Sequence, residues 1–252
     1  MTPRSAFSRR LVLGCCAALG FITFSACSQH SDGTSDKGRL TSSGPVGLFF
    51  MTRYWSYTHT LEKAAWYFAA DGHVYQNLES GLTSADLAAH KGPKGTFKLS
   101  GNQLEVTWSD GKTAKSQFEP DKTGPGFAWD MGLFSPAPPI SDPKLVVGKF
   151  EGGESLSHGG NAVSTSNSFE FHADGTYTRF GIASVKGTAS QSLLEGGSQG
   201  TTTGTWKAES YSLTLTGSDG TVTRRIAFPY YDDDKSPLPG RLYFGGLLLK
   251  RQ

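Results

Sequence analysis

Reactive side chains are few in this 252-residue chain: three cysteines, six histidines and one acidic run. Nucleophilic catalysis needs a Ser or Cys next to a base. Ser157-His158 is such a pair, but it sits in the Gly/Ser-rich stretch from Gly152 to Gly160, which reads as a loop. No phosphate-cradling Gly-x-x-x-x-Gly-Lys loop occurs. His30, His59, His73, His90, His158 and His172 show no spacing that would put two metal ligands on one helix or strand face. His73 and His172 each neighbour an Asp-Gly turn and read as solvated strand-end residues. Asp232-Asp233-Asp234-Lys235 lacks the alternating ligands of a calcium loop and reads as a turn between Tyr230-Tyr231 and Pro237. Carboxylates for glycoside hydrolysis can come from distant strands, so the sequence leaves that chemistry open. No catalytic residue, metal ligand or cofactor is assigned. One cluster suggests binding. Tyr54-Trp55-Ser56-Tyr57 and Trp66-Tyr67-Phe68 either fill a core or line a cavity for an apolar or sugar ligand.

Composition narrows the elements that must carry these residues. The 24 Lys and Arg balance 22 Asp and Glu, a net +2, with 32 Gly and 12 Pro. A nucleic-acid binder would be more basic, a coiled coil richer in Leu, Glu and Lys, and a collagen-like chain would have Gly at every third residue. Thirty aromatic residues (16 Phe, 9 Tyr, 5 Trp) can fill a core. The mixture predicts short strands and many turns.

Residues 1–26 read as an export leader. Arg4, Arg9 and Arg10 precede an apolar run from Leu11 to Phe24, too short for a spanning helix. Phe24-Ser25-Ala26-Cys27 resembles the lipobox of bacterial lipoproteins, which implies a diacylglycerol thioether and an acylated amino group on Cys27, with palmitate as a typical acyl chain. Ser8-Arg9-Arg10-Leu11-Val12-Leu13 also resembles the twin-arginine export signal. Cys15 and Cys16 leave with the leader, so Cys27 is the sole mature cysteine and no intramolecular disulfide can form. Losing three arginines leaves 21 basic against 22 acidic residues, and the positive balance disappears. Residues 27–45, polar from Ser28 to Pro45, read as a lipidated flexible tether.

The rest of the chain repeats itself. Trp66-Tyr67-Phe68-Ala69-Ala70-Asp71-Gly72 recurs as Phe169-Glu170-Phe171-His172-Ala173-Asp174-Gly175. From Gly95 to Gly111 the offset is a constant 109 residues, with 8 of 17 positions identical. This predicts an all-β protein of two tandem antiparallel barrel or sandwich modules, residues 46–135 and 145–252, joined by a Pro-rich linker at 136–144. Within each, Asp-Gly pairs between alternating runs mark hairpins. Thr83 to His90 is the one helical signal, and the run from Gly187 to Gly204 reads as a long loop.

The second module resembles the lipocalin-like small barrels of envelope lipoproteins, through Gly148-Lys149-Phe150, its Asp-Gly hairpins and Arg251 after the last apolar strand. In lipocalins a Trp at the position of Phe150 packs beneath an Arg from a late strand. The resemblance implies a barrel and suggests ligand binding. The expected function is that of a non-enzymatic, lipid-anchored envelope lipoprotein that binds a small apolar ligand or an envelope protein. It meets the membrane through the lipid on Cys27 and has no nucleic-acid partner. Ser28 after that cysteine resembles outer-membrane sorting, facing the periplasm in a Gram-negative host. Two alternatives are carried: an inhibitor or immunity lipoprotein that neutralises a toxin or hydrolase, and an envelope hydrolase or isomerase with carboxylates that sequence cannot pair.

Overall fold

Four Asp-Gly pairs act as hairpin hinges, and all four use the same device. In each, the Asp carboxylate accepts a hydrogen bond from the backbone N–H two residues on: Asp71 from His73, Asp110 from Lys112, Asp174 from Thr176 and Asp219 from Thr221, at 2.9–3.1 Å. The Gly that follows has φ between 83° and 89°, which other residues adopt only with strain.

The computed structural model describes residues 36–252 other than 159–160, 190–191 and 234, with backbone alone for 154–164 and 183–198. The leader, the paired arginines and Cys27 lie outside the described residues. The first module runs through β1 (Arg39–Thr41), β2 (Gly44–Trp55), β3 (Thr60–Phe68), β4 (His73–Gln76), helix α1 (Ser84–Ala89), β5 (Lys94–Ser100), β6 (Gln103–Trp108), β7 (Thr113–Gln117), β8 (Glu119–Pro120), β9 (Phe127–Trp129) and β10 (Gly132–Pro136). Its sheet order is β7-β6-β5-β4-β3-β2-β10-β9-β8, with β1 added to β2. The two end strands are separated by a single residue, Phe118, so one bent stretch of chain bounds both ends of the sheet and makes it barrel-like.

The second module repeats this path as β11 (Gly148–His158), β12 (Asn161–Phe171), β13 (Thr176–Ala189), β14 (Ser192–Glu209), β15 (Ser212–Gly217), β16 (Val222–Tyr230), β17 (Arg241–Phe244) and β18 (Leu247–Arg251), closed by pairing of β11 with β18. The repeat holds at the level of single hydrogen bonds. Phe118 N–H donates to Asn102 O, and Ala227 N–H to Tyr211 O, at the same 109-residue offset. Gly95 and Gly204 are retained because a Cβ at either would collide with the Thr107 or Thr216 carbonyl of the adjoining strand.

Three expectations are corrected. Residues Arg39–Thr41, assigned to the tether, form β1: Leu40 packs on the first core and the strand pairs with Gly44–Val46. The described residues of Gly187 to Gly204 form no loop; they belong to β13 and β14, paired from Thr176↔Thr205 to Ala189↔Ser192. The stretch from Gly152 likewise continues β11 up to His158, paired with Asn161. Both ladders are carried by backbone pairing in segments of Gly, Ser and Thr, which have no apolar face for a periodicity reading to detect.

Each barrel encloses its own apolar core, and a third cluster lies between them. Leu48 and Phe50 alternate with inward Phe49 and Met51 on β2, yet all four are buried. The outer pair meets Ile226, Phe228 and Tyr243 of the second module. Polar contacts join the same seam. Tyr211 OH donates to Ala137 O at 2.9 Å, and Ile226 N–H to Glu79 O at 2.9 Å. The Pro-rich connection is part of the seam, since Ala137 lies in the inter-module cluster and Ile140 in the second core.

Helix α1 adds an ion pair to the seam. Thr83 and Asp86 form a reciprocal capping box, and Asp86 Oδ1 accepts from Arg224 Nη1 at 2.6 Å. Burial alone would raise the Asp86 carboxyl, but the Thr83 and Arg224 hydrogen bonds outweigh it and hold the group below its ordinary value. Its stabilisation is therefore complete above the ordinary Asp pKa of 3.8 and is lost as pH falls through the lower folded value. In Asp86→Asn the fall of the urea midpoint between about pH 5 and 2 should be shallower than in the parent chain. Parallel curves would show that the pair contributes nothing.

Candidate functional site

Alternation along six strands of the first barrel sends a small group of polar and aromatic side chains to one open end. Inward positions Phe49 and Met51 on β2 lead to Arg53; Trp66 and Ala64 on β3 lead to Glu62; Val74 on β4 leads to Gln76. Trp108 ends β6, Ala114 lies on β7, and Trp129 ends β9. Below them Phe68, Phe118, Phe127 and Phe134 close the barrel. Above the floor remains a cavity of about 620 Å³. That volume is in the range of small-molecule sites.

Trp66 is the centre of the floor. It stacks on Phe68 at 5.9 Å and meets Trp108, Trp129 and Phe134 edge-on at 5.3–5.9 Å. Trp129 donates its indole N–H to Leu104 O at 2.8 Å. Trp66 Nε1, by contrast, is buried with no acceptor among the described residues, and so is Arg53 Nε. A buried donor left unpaired costs about 1–3 kcal/mol.

Arg53 organises the wall. Its Nη2 lies 3.2 Å from Asp130 Oδ2 and its Nη1 4.0 Å from Glu62 Oε2, and its guanidinium lies over Trp55 at 5.3 Å. Trp55 Nε1 in turn donates to Glu62 at 2.9 Å. Asp130 and Met131, the two central residues of the β9–β10 turn, both have positive φ (48° and 60°). The equivalent β17–β18 turn uses Gly245 and Gly246, for which that geometry is unstrained. The first mouth thus keeps a carboxylate on Arg53 at a backbone cost. Lys91, Lys94 and the Asp110–Lys112 pair (2.7 Å) complete the rim. The Lys112 ammonium beside it holds the Asp110 carboxyl below its ordinary value.

The candidates read from sequence scatter. Trp66 lines the mouth, Trp55 stands outside it against Arg53 and Glu62, Phe68 fills the core, and Tyr54 and Tyr57 are exposed beyond the rim. Tyr67 faces outward and donates to Asp36, its hydroxyl raised by burial and by that carboxylate. His73 lies 3.1 Å from Asp71 and His172 4.0 Å from Glu170, both at exposed strand ends. Asp232 pairs with Arg241, and Asp233 accepts from Lys235 N–H; Asp234 is outside the described residues. Ser157 and His158 end β11, and Cys27 is outside the described residues. Arg53, Glu62, Trp108, Trp129 and Asp130 were not marked by sequence. Their only shared signal is an inward parity near strand ends, which many residues have.

Among the described residues no group of three or more His, Cys, Asp or Glu could hold a metal, and no helix is long and apolar enough to cross a membrane. No protein-family model, curated protein or solved structure matches the chain.

Proposed function

We propose that this protein is an exported, lipid-anchored envelope lipoprotein that binds a saccharide-type ligand, without catalysis, in the open mouth of its first barrel. One observation carries the reading: three tryptophans and two unpaired buried donors surround a cavity of about 620 Å³. Indole faces favour a flat body with C–H faces. Trp66 Nε1 and Arg53 Nε require acceptors, and Glu62 and Asp130 can accept from further hydroxyl donors. A polyhydroxylated ring offers all three, whereas a purely apolar ligand leaves the donors unpaired. The anchor rests on the lipobox at Cys27, and outer-membrane placement on Ser28. Eleven residues, Ser28 to Gly38, lie between that cysteine and β1.

Titration of the mature protein with chitotriose, maltotriose and cellotriose should shift the tryptophan emission saturably for at least one of them. Trp108→Ala should weaken that binding by about 2 kcal/mol, roughly thirtyfold. Emission unmoved by all three sugars would overturn the saccharide reading. The hydrolase alternative is favoured by the convergence of Glu62 and Asp130 on one cleft. Shorter products in the same incubations would decide for it. Labelled palmitate should be incorporated in cells and lost in Cys27→Ala; label that persists would remove the anchor.

A further inference from the structure

The duplication places a second mouth at the same end of the second barrel. Phe49 pairs with Trp66 and Trp66 with Gln76; Phe150 pairs with Phe169 and Phe169 with Arg179. Arg179 therefore stands where the first mouth has Gln76. In the same way Gly217 replaces Trp108 opposite Gly204, and Phe244 replaces Trp129 opposite Leu247. With Phe169 in the place of Trp66, three indoles are lost, and a guanidinium is gained at the Gln76 position. Space opens on both sides of it, about 430 Å³ toward the β15–β18 strands and about 290 Å³ toward Asn167, with Arg179 and Thr202 in both walls.

The electrostatics of the two mouths differ. In the first, Arg53 is matched by Glu62 and Asp130. In the second, buried Asn167 holds Arg179 through its Oδ1, 2.8 Å from Nη2 and 3.3 Å from Nε. An amide fixes the fork without cancelling its charge. Among the residues whose side chains are described, no carboxylate comes within 4.0 Å of Arg179. The guanidinium lies 5.4 Å from the Phe169 ring, which limits its swing. Arg225 adds a second cation to the larger cavity, against one carboxylate at its rim. That carboxylate, Asp219, is engaged with Thr221 N–H at 2.9 Å. Phe169, Tyr177, Leu215, Phe244 and Leu247 supply the remaining apolar wall.

We propose that the second mouth is a separate binding site for an amphipathic organic anion, whose carboxylate, sulfate or phosphate head is held by the free side of the Arg179 fork. Its apolar body lies against Phe169, Leu215 and Phe244. A planar fork presenting parallel N–H donors suits such a head. The two barrels then bind different ligand classes on one duplicated frame.

The test is calorimetry on the mature protein with monomeric decanoate, decyl sulfate and decyl phosphate, with decanol as the uncharged control. At least one anion should bind with one-to-one stoichiometry and about tenfold or more tighter than decanol. Arg179→Gln, which installs the residue of the first mouth, should abolish that preference while Arg179→Lys retains part of it. Both variants should remain folded with a cooperative melting transition, because Arg179 is exposed in the mouth and Gln or Lys can still donate to Asn167. Decanol binding equal to the anions, an unchanged anion affinity in Arg179→Gln, or no saturable anion binding below roughly 1 mM would each overturn the proposal. Sugar binding at the first mouth should be unchanged in both variants.

Discussion

Arg251→Ala is expected to lower the unfolding free energy by about 3–5 kcal/mol. The side chain sits where the second barrel closes. Its Nε donates to Pro239 O at 2.8 Å, its Nη1 to Val147 O and its Nη2 to Leu145 O at 2.6 Å each. The guanidinium covers the Phe150 ring at 4.4 Å, and Arg251 is the register partner of Phe150 between β11 and β18. Burial pulls its pKa below the ordinary arginine value. Alanine leaves three carbonyls without their donor and uncovers one face of Phe150, at a closing seam of only two residue pairs. Urea unfolding followed by circular dichroism measures the loss. Lysine at this position should recover less than half, because one ammonium cannot reach three divergent carbonyls. A loss below about 1 kcal/mol would mean that water replaces the guanidinium at no cost.

Phe50→Ala should cost about 3–5 kcal/mol and also change the form of unfolding. The Phe50 ring meets Phe228, Tyr230 and Tyr243 at 5.3–5.9 Å, while Phe228 and Tyr243 stack on each other at 4.5 Å. These contacts join two sheets that otherwise have separate cores. Removing the ring should split a single calorimetric transition into two, one for each barrel. Phe49→Ala deletes an equally buried ring one residue away, but that ring faces Phe68 and Phe127 inside the first barrel. It should lower stability and leave one transition. Two transitions in the parent chain would show that the modules are not coupled through this seam.

The contrast between Phe49 and Phe50 shows what period-2 reading can and cannot supply. Alternation says that neighbouring side chains face opposite ways. It assigns Phe49 to a core and leaves Phe50 facing outward, where its burial depends on a second module docking there. The Phe150–Arg251 pair was legible for a different reason. It was suggested by resemblance to lipocalin-like barrels, and the contact is present with Phe in place of Trp. The Gly/Ser/Thr ladders of β11, β13 and β14 were misread as loops because backbone pairing leaves no trace in hydropathy.

What the sequence determined alone is local or periodic: four Asp-Gly hinges, the alternation between them, the capping box at Thr83, and a duplication with a 109-residue offset. These depend on backbone dihedrals and on residues a few positions apart, so they are written wherever the residues are. The mouths were decided only by closure of the sheets. Arg53, Glu62, Gln76, Trp108 and Asp130 are spread over 78 positions. Whether inward residues meet at one level depends on strand register around the whole barrel. That register also places Arg179 on Gln76 and Gly217 on Trp108, turning one duplicated frame into two chemically different openings.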